Sequence, residues 1–351
     1  MGRALQVGFI GFGGIARDAH MPGWSKLKGD GVAELVAVAD VNPAAREAAR
    51  TRFGLPPEMC FEDYAEMLGK VDLDIVDVCT PNCFHKDPTI AAFKAGAHVI
   101  VEKPMTVCAA DGEAMIAAGK KARKLLMIAQ SCRYLPSAQA AKRASRAIGD
   151  IYWARASLLR PRGVPAWGAF TLKEMSAGGP IYDLGVHILD WCLWMMEFPK
   201  PVTVSAALYL ELANKKSIMK HDPKRYTVPE ELAMALIRFE NGAVCTLETS
   251  WAVNAPEGTF SCFLSGKKGG IDWNWDSLTL VREEFGMLTN AKPQVIPEAG
   301  QASHAEEVYD FVDAIRKGKP SPVPGEQAIV TQRILDAIYA SAEGGREVGL
   351  A

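Results

Sequence analysis

Val7-Gly8-Phe9-Ile10-Gly11-Phe12-Gly13-Gly14-Ile15-Ala16 decides how this chain is read. A short β-favouring run enters a G-x-G-x-x-A turn, and a helical pattern from Ile15 to Leu27 follows. Glycines at such a turn permit a tight bend and let backbone N–H groups approach a pyrophosphate at the helix N-terminus. Similar turns also form for steric reasons alone, so the motif needs company. Asp40 supplies it, ending the next strand where a carboxylate can bind the ribose hydroxyls of NAD. Gly11, Phe12, Gly13, Gly14, Ile15 and Asp40 are therefore the first candidate cofactor residues.

Outward from this stretch, β-rich runs at Leu35 to Ala39, Ile75 to Cys79, Val99 to Val101 and Leu125 to Ala129 alternate with helical patterns. The helices are expected at Pro43 to Arg52, Pro88 to Ala95 and Ala109 to Ala122. That alternation implies a doubly wound parallel sheet, a Rossmann domain over residues 1–128. After Arg133 the pattern changes to longer strands at Tyr152 to Leu158, Val202 to Leu210, Leu232 to Phe239, Ala243 to Ser250 and Thr259 to Ser265. Turns such as Glu240-Asn241-Gly242 predict a largely antiparallel open sheet. With helices at Gly185 to Met196, Ala305 to Lys317 and Gln327 to Ala342, residues 129–351 read as an α+β substrate and oligomerisation domain, with a cleft between the two parts.

The chain has 351 residues, 49% of them hydrophobic, which is enough for more than one core. Its 39 basic and 41 acidic residues give a formal charge of −2 and no field that would draw it onto nucleic acid. Asp190 and Glu197 interrupt the most apolar helical stretch, so no membrane span is expected. The N-terminal apolar run is too short for a signal peptide, and eight scattered cysteines without a Cys-x-x-Cys pair suggest a reducing cytoplasm. No cysteine pair has structural-zinc spacing and no G-x-S-x-G elbow occurs, so neither a metal nor a serine hydrolase is expected.

Three further motifs carry chemistry. Thr80-Pro81-Asn82-Cys83-Phe84-His85 follows a strand, at the sheet edge where ligands lie in α/β folds, which makes Thr80, Pro81, Asn82 and His85 candidates for the nicotinamide ribose; an ordinary Pro-Asn turn is the bland alternative. Glu102-Lys103-Pro104 places a lysine at a strand's carboxyl end, where its charge can stabilise an alkoxide, or simply be solvated. Asp183-Leu184-Gly185-Val186-His187 puts a carboxylate and an imidazole four residues apart, on one face if the segment is helical. Histidine can take a hydroxyl proton as hydride leaves, although a buried Asp-His pair also serves structure.

With these four motifs in order, the chain resembles the Gfo/Idh/MocA oxidoreductases over essentially its whole length, including the closing segment His304 to Lys317. The resemblance implies that Lys103 and His187 act at the substrate hydroxyl, that Asp183 binds or orients the substrate, and that Glu102 and Lys103 lie at the cofactor. It also raises Arg133, Arg160, Trp167 and His304 as substrate candidates, although Cys132 stands where a polar residue is common. Aromatic and guanidinium groups suit a polyol, one stacking on C–H faces and the other donating to hydroxyls. The implied activity is NAD-dependent oxidation of a CH–OH in a sugar, anhydrosugar or cyclitol. Two alternatives share the fold: an enzyme that retains NAD and cleaves or epimerises by transient oxidation, and a non-catalytic dinucleotide or sugar sensor. An open sheet predicts a homodimer or homotetramer.

Overall fold

The computed structural model describes residues 3–295 and 303–350, which fall into two compact units. The first runs to Ser131 and regains the chain from the described Ser303 to Ile329. Its sheet has six parallel strands in the order β3-β2-β1-β4-β5-β6. These are β1 (Leu5–Ile10), β2 (Ala33–Ala39), β3 (Cys60–Phe61), β4 (Ile75–Val78), β5 (His98–Glu102) and β6 (Leu126–Ala129). The order reverses between β1 and β4, which is the topological switch where doubly wound folds bind ligands.

Crossovers are made by α1 (Met21–Gly29), α2 (Pro43–Phe53), α3 (Tyr64–Lys70), α4 (Lys86–Lys94) and α5 (Ala109–Ala122). Local chemistry sets their ends. Asn42 caps α2 by accepting from Ala44 N (2.9 Å) ahead of Pro43, and Gly54, with φ of 72°, closes it. Asp63 caps α3 in the same way, accepting from Ala65 N at 2.7 Å. The two-residue strand β3 and the seven-residue α3 were not expected from the sequence, because elements that short show no periodicity.

Helix α9 (Ser303–Lys317) belongs to the first unit, which corrects the expected division after residue 128. It packs on α1 where Gly23 leaves room: a Cβ there would lie 3.0 Å from Ala305 Cα and 3.3 Å from Val308 Cβ. Beyond it the chain returns to the sheet, Ile128 N donating to Val323 O at 3.0 Å. A boundary drawn where periodicity changes has no means of seeing such a return.

The second unit is built on a nine-stranded sheet, ordered β14-β13-β12-β11-β7-β10-β9-β8-β15. Its strands are β7 (Ile151–Leu159), β8 (Pro201–Tyr209), β9 (Leu232–Phe239), β10 (Val244–Ser250), β11 (Thr259–Gly266), β12 (Gly269–Asn274), β13 (Ser277–Glu284), β14 (Met287–Ala291) and β15 (Val348–Gly349). All neighbours are antiparallel except β7 and β10. Helices α6 (Pro136–Ser145), α7 (Lys173–Ser176), α8 (Val186–Met195) and α10 (Gly325–Gly344) complete the described α-helices, the last passing from one unit into the other. Strands β12 to β15 and helices α6 and α7 go beyond what the sequence pattern predicted.

The core of this unit includes buried Trp191 of α8 stacked on Trp273 of β12, ring centroids 4.3 Å apart, with Phe260 edge-on at 5.5 Å. Trp191→Ala is expected to cost about 3–5 kcal/mol, the usual range for removing a buried large aromatic. The measurement is the shift of the urea midpoint, with the slope of the transition unchanged.

Candidate active site

The turn after β1 is shaped by contact with the backbone after β4. Gly11 has φ of 83°, donates to Ala39 O (2.8 Å), and a Cβ on it would sit 2.7 Å from the carbonyl atoms of Cys79. Phe12 is buried, its ring edge-on to Phe9 (5.3 Å) and Phe53 (5.5 Å), and its amide donates to Asp40 Oδ2 at 2.6 Å. Asp40 Oδ1 accepts from Asn42 N (2.7 Å), so the acid predicted at the end of β2 is oriented by two backbone amides. Arg46 turns toward the same residue but donates to its carbonyl oxygen (2.6 Å).

The first helical hydrogen bond here runs from Arg17 N to Gly13 O (3.1 Å), which places the amides of Gly14, Ile15 and Ala16 ahead of it. Such leading amides, with the positive end of the helix dipole, form an anion site. A Cβ on Gly13 would meet nothing within 4 Å. Open space beside a helix start, with a fixed carboxylate at the neighbouring strand end, fits the pyrophosphate and ribose of a dinucleotide.

At the carboxyl end of β4, Thr80 Oγ1 donates to Phe84 O (2.8 Å), and Pro81 leads into a 3-10 turn over Asn82–Phe84. Asn82 is half-buried. His85, predicted to face the ribose, is instead buried, with its ring nitrogens 2.7 Å from Pro104 O and 2.8 Å from Thr80 O. Burial lowers its pKa against the pull of those carbonyls. With each ring nitrogen facing a backbone carbonyl and the ring buried, His85 is turned away from a ligand and ties the turn to the segment after Lys103.

Lys103 is half-buried at the end of β5, and its amide donates to Glu102 Oε2 (3.0 Å). The other Glu102 oxygen lies 2.9 Å from Nε2 of His20, a fully buried ring whose Nδ1 is 2.9 Å from Asp77 Oδ2. Sequence reasoning missed His20 and Asp77, although an aspartate inside the apolar run Ile75–Val78 is a signal, since a buried carboxylate requires a partner. His20, Asp77 and Cys79 offer ligand-type atoms within 4.8 Å of one another, the kind of donor group that cysteine spacing does not show. The atoms here are joined by hydrogen bonds, Cys79 Sγ donating to Asp77 Oδ1 at 3.2 Å. His304 lies beside the same group, its ring 6.0 Å from His20, and its pKa is lowered by burial.

In the second unit, Asp183 falls in a π-helical turn, Ile181–Gly185, that leads into α8, and His187 stands in the first turn of α8. Both are half-buried, and Asp183 Oδ2 accepts from Trp251 Nε1 at 2.9 Å. Wider π turns are often retained at functional sites. The approach to this turn is held by Glu230, whose Oε1 accepts from Gly179 N and Tyr339 Oη, each at 2.8 Å. Arg133 is not placed as a substrate residue: it is buried and forks onto Asp190, with Nε–Oδ2 and Nη2–Oδ1 both 2.7 Å, between Trp194 and Phe198. Arg160 reaches Gly163 O at 3.4 Å, and Trp167 is 67% exposed beside Phe170.

These features define an oxidoreductase with a dinucleotide-binding Rossmann unit. Residues 5–130 match the family described as "Oxidoreductase family, NAD-binding Rossmann fold", and residues 144–350 match its C-terminal alpha/beta domain. The chain therefore belongs to the Gfo/Idh/MocA oxidoreductase family. It is 31% identical to D-glucoside 3-dehydrogenase of Escherichia coli over 99% of this chain and 97% of that one. Levoglucosan dehydrogenase of Pseudarthrobacter phenanthrenivorans is 27% identical over 78% of this chain and 74% of its own length. A solved levoglucosan dehydrogenase in complex with NADH and levoglucosan superposes with a TM-score of 0.84 at 25% identity, covering 99% of both chains.

Two outcomes test this geometry. Gly13→Val should abolish NAD binding in calorimetry while leaving the melting temperature unchanged, because its side chain enters open space that the pyrophosphate needs. Glu230 is pushed by burial up to about 7, against the Tyr339, Ile181 and Gly179 hydrogen bonds. A folded-state pKa above the unfolded one stabilises at low pH, and that contribution is lost as pH rises through about 7. Glu230→Gln should remove this part of the decline in melting temperature between about pH 4.5 and 7.

Proposed function

We propose that the protein uses NAD to oxidise a hydroxyl-bearing carbon of a sugar, anhydrosugar or cyclitol, and runs the same step in reverse. The observation that carries the reading is full-length likeness to a D-glucoside dehydrogenase in a chain that keeps both Lys103 and His187. In this reading Gly11, Phe12, Gly13, Gly14, Ile15 and Asp40 hold the adenosine half of NAD, and Thr80, Pro81 and Asn82 flank its nicotinamide half. Glu102 and His85 support that edge from behind. NAD, when bound, accepts the hydride. His187 takes the hydroxyl proton, Lys103 stabilises the developing alkoxide, and Asp183 orients the substrate. Arg160, Trp167 and His304 remain candidate contacts for the rest of the sugar.

Asp40 repels a 2′-phosphate, and Arg46 is occupied by the Asp40 carbonyl, so NAD is preferred to NADP. Asp40→Ser should narrow the ratio of kcat/KM for the two cofactors. We also propose a homodimer or homotetramer in the cytoplasm. The sheet of the second unit exposes Trp153 (β7) and Met234 (β9), and all eight cysteines are free thiols, as a reducing compartment keeps them. No helix of the described residues is long and apolar enough to cross a membrane.

The test is NADH formation by purified protein with a D-glucoside, levoglucosan and scyllo-inositol. Reduction of bound cofactor without NADH release would indicate transient oxidation, and no reduction with any of them would favour a sensor. With the active substrate, Lys103→Met and His187→Ala should each lower kcat roughly a hundredfold or more while NAD affinity barely changes. Because both act on one proton and one developing charge, the double variant should lose less than the product of the single losses. Near-normal turnover in His187→Ala with a lowered melting temperature would make Asp183 and His187 structural.

A further inference from the structure

A buried polar group lies behind Glu102, at the base of Lys103. His20 comes from the π-helical turn Ala16–His20 that follows the glycine turn, Asp77 and Cys79 from β4 and its end, Glu102 from β5, and Glu307 and His304 from α9. Trp24 of α1 adds a third donor to the Asp77 carboxylate, Nε1 to Oδ2 at 2.9 Å. His20, Asp77 and Glu307 have no exposed surface, and Glu102 is 7% exposed.

A neutral imidazole has one N–H, and its other nitrogen is a lone pair. Both His20 nitrogens face carboxylates at 2.9 Å, so a neutral ring would direct its lone pair at an oxygen of like charge. An imidazolium donates to both. Burial opposes the charge, but the Asp77 charge and hydrogen bond outweigh it and hold His20 well above its ordinary pKa. Burial likewise pushes Glu102 up, yet the bond and charge of His20, with the charge of Lys103, bring it down to about 2. Glu307 Oε1 stands 3.9 Å from His20 Nε2, outside hydrogen-bond range, and burial raises its pKa well above the usual range. Burial likewise raises the pKa of the Cys79 thiol.

We infer that His20 is a positioning residue for Lys103, acting through Glu102 as a clamp held at both ring nitrogens between Asp77 and Glu102. The chain of contacts is short: the imidazolium fixes one Glu102 oxygen, and the other accepts from the Lys103 amide, which sets where that lysine leaves β5. The same ring is carried on the turn that begins at the dinucleotide-binding glycines, so the lysine is referenced to the helix that cradles the cofactor. This rests on the proposed role of Lys103.

Two measurements test it. In cofactor-free protein labelled with nitrogen-15, the His20 ring, assigned by its loss in His20→Phe, should show protons on both nitrogens at pH 8; a neutral ring there overturns the inference. In turnover with the sugar identified above, His20→Phe, which keeps the volume and removes both donors, should lower kcat tenfold or more with KM and NAD affinity within about threefold, in the range of positioning losses. Glu102→Gln, nearly isosteric, should do the same and serves if His20→Phe does not fold. In a Lys103→Met background neither change should lower the residual rate further. Folded variants with normal kcat and a lower melting temperature, or full multiplicative losses in that background, overturn the inference and leave Lys103 in its role. Normal turnover of Lys103→Met would overturn the lysine's role and this inference with it.

Discussion

Where the backbone leaves β1 it passes so close to the backbone after β4 that a side chain at Gly11 would collide with the Cys79 carbonyl. This approach sets the direction of the helix start, and the Gly11 amide then reaches Ala39 O at the end of β2 while the Phe12 amide reaches Asp40. Three strand ends are thereby drawn to one edge. The edge is also where the strand order reverses, the switch point at which doubly wound sheets take their ligands, so the glycine contact and the sheet topology single out the same edge independently.

Each unit also buries charge on directed partners. In the first, two carboxylates share one ring; in the second, Arg133 forks onto Asp190 beneath Trp194 and Phe198. Buried pairs of this kind add little net stability over apolar packing, but losing one partner strands a charge. Their value is geometric: a fork or a doubly held ring admits one orientation where an apolar contact admits several.

The glycine turn, Asp40, the alternation up to β6 and the long strands β7 to β11 were legible in the sequence because they depend on local spacing. Residues 80–85, the end of β5 and the Asp183 to His187 segment were also placed on the right elements, since each follows directly from a periodic run. The return of α9 to α1 was hidden, because Gly23 and Ala305 lie far apart in the chain and neither is unusual alone. Arg133 misled for a related reason: a guanidinium beside polar residues looks the same in sequence whether it meets a ligand or Asp190. His85 looked like a ribose contact because its two carbonyl partners belong to the backbone, which carries no sequence signal. His20 was passed over within a helical pattern, and only distance reveals that it touches β4 and β5.

The strand order of the second unit constrains how the chain is made. Strand β7 lies between β10 and β11, which begin 93 and 108 residues after its start, so the middle of the sheet waits unpaired while those residues are made. Its far edge is completed by β15, at Val348–Gly349, and the first unit lacks a helix on α1 until Ser303 to Lys317 has appeared. Pairing over such separations is slow, because the loop must be closed before the contacts repay it. Neither unit reaches its final contacts before α9 and β15 have been made, and until then a nascent chain would expose β7 and the α1 surface to chaperones.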